Sequence, residues 1–143
     1  MLVVIHTPDL QILLIERAAH PGFWQSVTGS LETGESLVQT ACREVTEETG
    51  LTCNPADLRD WQQSQRFEIF PQWRHRYAPG VTENLEHVFS LCIPAPCPVT
   101  LSPGEHRAYR WLDAAAAAAA CFSWSNRQAI EQLMRHTEAT KNQ

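Results

Sequence analysis

Apolar residues gather near the N-terminus in two short unbroken runs, at residues 2–5 and 12–15. With Thr7-Pro8-Asp9 between them, these runs predict two strands, 2–6 and 11–17, joined by a turn. Pro21 and Gly22 mark a loop over 18–23, and residues 24–27 form a short strand leading out of it. Ser36 followed by Gln39 is a capping-box pattern, and Gly50 suits a helix C-terminus, so residues 36–49 are predicted to be helical. Inside that span Leu37, Val38, Ala41, Cys42 and Val45 make one apolar stripe at roughly 100° per residue. Residues 60–70, 85–93 and 107–112 have strand composition. A loop over 71–84 with Pro71, Pro79 and Gly80 separates the first two, and a stretch over 94–104 carrying four prolines separates the last two. The alanine run 114–120 favours helix because alanine loses no side-chain entropy there. Residues 125–136 are amphipathic, with Ile130, Leu133 and Met134 on one side. No repeat or linker divides the chain, so one domain over 1–143 is expected. Strands interleaved with two or three helices indicate an α/β or α+β sandwich.

The polar positions of the helix at 36–49 change the picture. Glu44, Glu47 and Glu48 are spaced i, i+3, i+4 and share a face beside the apolar stripe. The helix therefore packs on the sheet while its carboxylates line the edge of that contact. Like charges so close repel by a few tenths of a kcal/mol per pair, and negative charge is disfavoured near a helix C-terminus. A divalent cation reverses that penalty; magnesium takes one or two carboxylates and fills its remaining positions with water and substrate phosphate. An isolated Glu-x-x-Glu-Glu reads first as a solvated acidic face. Here, however, Gly29, Glu35, Arg43, Glu44, Val45, Glu47, Glu48, Gly50 and Leu51 stand in register as G-x5-E-x7-R-E-U-x-E-E-x-G-U, where U is aliphatic. Gly29 permits a close approach that a Cβ would block. Arg43 is expected to pair with Glu35 or a carboxylate of the helix and fix its direction, a structural role.

Composition narrows the function classes. The chain has 143 residues, 43% hydrophobic and 19% charged, an ordinary globular balance. Its apolar runs are too short to cross a membrane, and no signal peptide is expected. Five cysteines without a Cys-x-x-Cys pair predict reduced thiols and a cytoplasmic protein. A net charge of −5 argues against nucleic-acid binding. It also repels a triphosphate, so a phosphate site has to rely on bound cations and local arginines.

The nine-position pattern resembles the signature box of the Nudix hydrolases. That resemblance implies an α/β/α sandwich with a mixed β-sheet between helices, and hydrolysis of a nucleoside diphosphate linked to another group. It implies Mg2+, with Mn2+ as the other candidate, held by Glu44, Glu48 and Glu105, with Glu47 in support. Glu105, in the segment 103–106, is the carboxylate such enzymes add from outside the box; the alternative is a surface-loop glutamate. Further blocks at 24–30, 67–70, 74–82 and 123–130 are similar to the dihydroneopterin triphosphate pyrophosphatases of bacteria, over residues 2 to 133. That subgroup implies release of pyrophosphate from a pterin triphosphate, in the folate route, by a monomer without nucleic-acid or membrane partners. Its members carry a short basic stretch, with a lysine as phosphate contact, ahead of the first strand. The present sequence begins almost inside that strand, so lower substrate affinity or a substitute residue is expected.

The remaining candidates keep two readings each. Arg17 either binds phosphate bidentately or is a surface arginine. Thr28 is a candidate hydrogen-bond partner for a polar ring edge. Phe67 and Phe70, with the backbone of Glu68 and Ile69, form either a wall for a flat pterin or part of the core. Ser123 donates to substrate or caps the last helix. Arg74, His75 and Arg76 neutralise triphosphate or are solvated. His6, His20, His87 and His136 lack ligand spacing and are assigned no role. Which glutamate is the general base stays open. Two other functions remain: a (deoxy)nucleoside triphosphate pyrophosphohydrolase acting on dATP or an oxidised nucleotide, and a nucleotide-binding module without turnover, which would be expected to lack box carboxylates.

Overall fold

The computed structural model describes residues 1–68, 71 and 83–141, and the side chains of 1–64, 71 and 85–137. Strands β1 (Leu2–His6), β2 (Gln11–Arg17), β3 (Trp24–Gln25), β4 (Val27–Thr28), β5 (Leu58–Glu68), β6 (Glu83–Cys92) and β7 (His106–Asp113) build one sheet. Helix α1 spans Leu37–Thr49, α2 Ala114–Ala120 and α3 Trp124–Lys141, and a 3-10 turn occupies Pro55–Asp57. The sheet runs β3-β2-β1-β6-β5, with β4 also on β1 and β7 also on β2. It is mixed: β1 and β6 are parallel, whereas β1–β2, β1–β4, β2–β3, β2–β7 and β5–β6 are antiparallel.

The unbroken apolar runs follow from that arrangement, because both faces of the central strands are covered. Leu2, Val4, Ile12 and Leu14 point to the side packed by Ala114, Ala117, Ala118, Ile130 and Leu133 of α2 and α3. Val3, Ile5 and Leu13 point to the other side, against Ala41 and Val45 of α1. Each of these strand side chains, exposed by 2% or less, contributes about 1.5–3 kcal/mol through burial. The expected α/β/α sandwich is the architecture observed.

Two irregularities set the site's position. Residues 24–28 are not one strand: Ser26 interrupts them, so β3 pairs with β2 while β4 crosses to β1. Asn126 of α3 fixes the break, accepting from the Ser26 backbone N–H at 2.8 Å and donating to its hydroxyl at 3.0 Å, with both residues buried. Gln63 and Gln132 exchange two hydrogen bonds of 2.9 Å and tie β5 to the same helix beside a bulge in that strand.

Candidate active site

Helix α1 is fixed at both ends by its own sequence. Ser36 accepts from the Gln39 N–H at 3.1 Å, Gln39 accepts from the Ser36 N–H at 2.8 Å, and Gly50 closes the helix at φ 72°. With Ala41 and Val45 buried on the sheet, Glu44 and Glu48 are carried toward β4, one turn apart. The Thr28 N–H donates to Glu48 Oε2 at 3.2 Å. Next to it, a Cβ on Gly29 would lie 2.3 Å from Glu44 Cδ, so glycine leaves the Glu44 carboxyl its present position through close approach rather than through an unusual backbone angle.

Arg43 gathers most of the remaining acid. Its fork holds Glu35 through Nε at 2.7 Å and Nη2 at 2.9 Å, and its Nη1 donates to Glu44 at 2.7 Å and Glu47 at 3.2 Å. The guanidinium hydrogen bond, followed by the Glu32 N–H, holds the Glu35 carboxyl down to about 2. The expected pairing with Glu35 is present, and so is the alternative with box carboxylates. Glu47 is half exposed and turned to Arg43.

Glu48 is in the opposite condition. It is 5% exposed, and burial, then the neighbouring Glu44, pushes its carboxyl up to about 9 against the opposing Thr28 N–H and Arg17 charge. Burial likewise raises Glu44, partly offset by Arg43. Opposite Glu48, His106 opens β7 after a loop in which Gly104 adopts φ 86° and the Glu105 carbonyl accepts from the Ala18 N–H at 2.9 Å. His106 is 7% exposed, and neither ring nitrogen has a hydrogen bond to any of the described residues. Burial, then the Arg17 charge, pushes it down to about 4. His106 Nε2 lies 3.7 Å from Glu48 Oε1. That spacing qualifies geometrically as an ion pair, but the shifts leave both groups neutral near pH 7, so the contact is not a salt bridge in the metal-free chain.

One ligand atom each from Glu48, Glu105 and His106 lies within 4.8 Å of the others. A buried carboxylate beside another carboxylate, with an unpaired neutral imidazole facing it, fits a divalent cation: the cation supplies the missing charge and accepts the orphaned nitrogen. Glu105, the candidate from outside the box, is thus brought to Glu48. Glu44 stands beside this group but is bonded to Arg43.

Arg17 ends β2 within electrostatic reach of Glu48 and His106, and its Nη1 donates to Gln25 Oε1 at 3.4 Å. Thr28 Oγ1 accepts from Gln25 Nε2 at 3.2 Å. Ser123 precedes α3, where its hydroxyl lies 3.4 Å from the Asn126 N–H and 2.8 Å from Ser125 Oγ, in agreement with the capping reading. Phe67 and Glu68 lie at the end of β5 with their side chains outside the described residues. Ile69, Phe70, Arg74, His75 and Arg76 lie outside them altogether. Sequence reasoning missed His106, although it directly follows the glutamate chosen as the outer ligand. It also gave Asn126 no role, because its partner Ser26 is 100 residues away.

The NUDIX domain family model matches residues 1–133 of the chain. The dihydroneopterin triphosphate diphosphatase of Escherichia coli K12 is 50% identical over 137 residues, covering 94% of this chain and 90% of that protein. The Haemophilus influenzae enzyme of the same name is 39% identical, covering 94% and 85%. Among solved structures, the E. coli dihydroneopterin triphosphate pyrophosphohydrolase superposes with a TM-score of 0.85 at 51% identity, covering 92% of this chain and 90% of that one.

Proposed function

The chain belongs to the NUDIX family, as a hydrolase of phosphorus-containing anhydrides, and from that premise we propose that it converts dihydroneopterin triphosphate to dihydroneopterin monophosphate and pyrophosphate. We place this reaction in the cytoplasm, in folate biosynthesis, carried out by a monomeric 1–143 domain without nucleic-acid or membrane partners. No helix among the described residues is long and apolar enough to cross a membrane. The observation that carries the reading is the juxtaposition of Glu48, Glu105 and His106 around a carboxyl that burial keeps neutral.

Glu48, Glu105 and His106, with Glu44 alongside, would hold Mg2+ or Mn2+. When bound, the cation would polarise a phosphoryl oxygen and lower the pKa of the attacking water. Glu105 is exposed at the mouth of the cluster, where a carboxylate not fully engaged in ligation can take the water's proton. Arg17 draws the triphosphate in and balances charge on the departing pyrophosphate. Arg43 holds Glu44 and Glu47 in direction without touching substrate. Thr28 meets a polar edge of the ring, and Phe67, Glu68, Ile69 and Phe70 provide its wall.

The test is a comparison of kcat/KM on dihydroneopterin triphosphate, dATP and 8-oxo-dGTP with magnesium, read as pyrophosphate release. At least tenfold preference for the pterin, about 1.4 kcal/mol, is expected. A tenfold preference for either nucleotide would reassign the substrate, and no release from any of the three would remove the catalytic reading.

A further inference from the structure

Helix α1 carries one chemically reactive feature on the side away from its glutamates. Cys42, in the middle of the helix, and Cys53, in the segment that follows it, place their sulfurs 3.2 Å apart, with the Cys53 thiol donating to Cys42. Both residues are partly exposed, so small reagents reach them, and both thiols are free. Reduced sulfurs not bonded to each other normally rest farther apart than this, whereas a disulfide needs about 2.05 Å and small side-chain rotations to reach it. At about 100° per residue, Cys42 sits about 160° from Glu44 and about 120° from Glu48 around the helix axis. Closing the sulfurs therefore leaves the candidate metal cluster untouched.

We propose that Cys42 and Cys53 form a site for reversible disulfide formation by exchange with low-molecular-weight disulfides, fastening the segment after α1 back onto the helix. The Cys42 sulfur, which accepts the Cys53 hydrogen bond, attacks one sulfur of the reagent RSSR and displaces the first RSH, its own proton leaving with it. The Cys53 sulfur then attacks Cys42 Sγ, loses its proton and displaces the second RSH. Two thiols of the chain are oxidised to one disulfide while RSSR is reduced to two RSH. Burial, then the adjacent Cys42 thiol, raises the pKa of Cys53, which disfavours it as the first attacking sulfur. The closed loop contains Gly50, which ends α1 in the left-handed region, and Leu51, which packs on the core beneath α1. Linking its ends limits the unfolded chain and stabilises the position of the helix C-terminal turn.

The full-length chain is treated with bis(2-hydroxyethyl) disulfide and analysed by intact mass, peptide mapping and thermal unfolding. The expected product has a 42–53 cross-link reversed by dithiothreitol, while the exposed Cys92 takes only the hydroxyethyl adduct. The unfolding midpoint is expected to rise by about 5–10 °C. In Cys42→Ser and Cys53→Ser the remaining partner stops at the mixed disulfide and the midpoint does not rise. Stable adducts on Cys42 or Cys53 of the unsubstituted chain, without a cross-link, would overturn the proposal, as would a cross-link that leaves the midpoint unchanged. Neither readout depends on catalysis, so failure here is distinct from failure of the hydrolase reading.

Discussion

Arg43 and Glu48 lie five positions apart on one helix, yet the acids around them are in contrasting states. Glu35, Glu44 and Glu47 share a permanent cation in the Arg43 guanidinium, and Glu35 is held down to about 2. Glu48 has an N–H from Thr28, the Arg17 charge and an imidazole without a hydrogen bond among the described residues, and is held up to about 9. Glu35, with its resident cation, is structural; Glu48, buried without one, is prepared for a cation that comes and goes, and Glu44 stands between the two, raised by burial and lowered by Arg43. The ion pairs around Arg43 organise the box, and the strain of the site is stored at Glu48, as expected where stability is given up for function.

The comparison breaks most visibly at Glu48. Glu48→Gln keeps the shape but removes the ligand charge, and kcat is expected to fall by about 10^3-fold or more. The same change relieves a buried acid, so the metal-free variant should unfold about 1–2 kcal/mol later than the unsubstituted chain. Near-normal turnover at saturating magnesium, or a destabilised variant, would show that Glu48 belongs with the structural acids.

Gly29→Ala comes next in size. Its new methyl would meet the Glu44 carboxyl group at 2.3 Å, and the flexible end of Glu44 has to swing aside. A fall in kcat/KM of about 10–10^2-fold is expected, with stability changed by less than about 1 kcal/mol. If titration calorimetry and kinetics match the unsubstituted chain, Glu44 needs no fixed position.

His106→Ala tests the imidazole directly. It is expected to weaken Mn2+ binding by about 10-fold, more than Mg2+ binding, because manganese accepts nitrogen donors more readily. Equal loss for both ions, or none, would return His106 to the core as packing.

Much of this is legible in the amino-acid sequence alone. Ser36 with Gln39 and Gly50 give the bounds of α1 because capping is local chemistry, and the spacing of Gly29, Arg43 and the glutamates gives the box because helix geometry converts spacing into a shared face. The sandwich followed from runs whose length and interleaving leave few layer arrangements. What escaped depends on contacts across long separations. The break at Ser26 is fixed by an asparagine 100 residues later, and the parallel pairing of β1 with β6 has no local signature. His106 gained meaning only when β7 was laid against β2 and brought it to Glu48, a proximity that no periodicity encodes.

The smallest effect concerns pH. The native-state pKa of Glu48, about 9, lies above the usual carboxylate value of 4.5. Between those values the folded metal-free chain keeps a proton that the unfolded chain has lost. Stability from this group is therefore present below about pH 4.5 and declines as pH rises toward 9. Glu35 has the reverse sign: its pKa is depressed to about 2, so its contribution is complete above 4.5 and is lost as pH falls toward 2. Across pH 7.5 to 8.5, where Glu35 and His106 are constant, Glu48 should cost the metal-free protein about 3–5 °C in midpoint per pH unit, and Glu48→Gln should remove that part of the slope. Magnesium should flatten it too, since binding expels the same proton, and calorimetry in buffers of different ionisation enthalpy should register close to one proton released per cation. A slope that survives Glu48→Gln unchanged would place the titrating acid elsewhere and remove the contrast between Glu48 and the acids around Arg43.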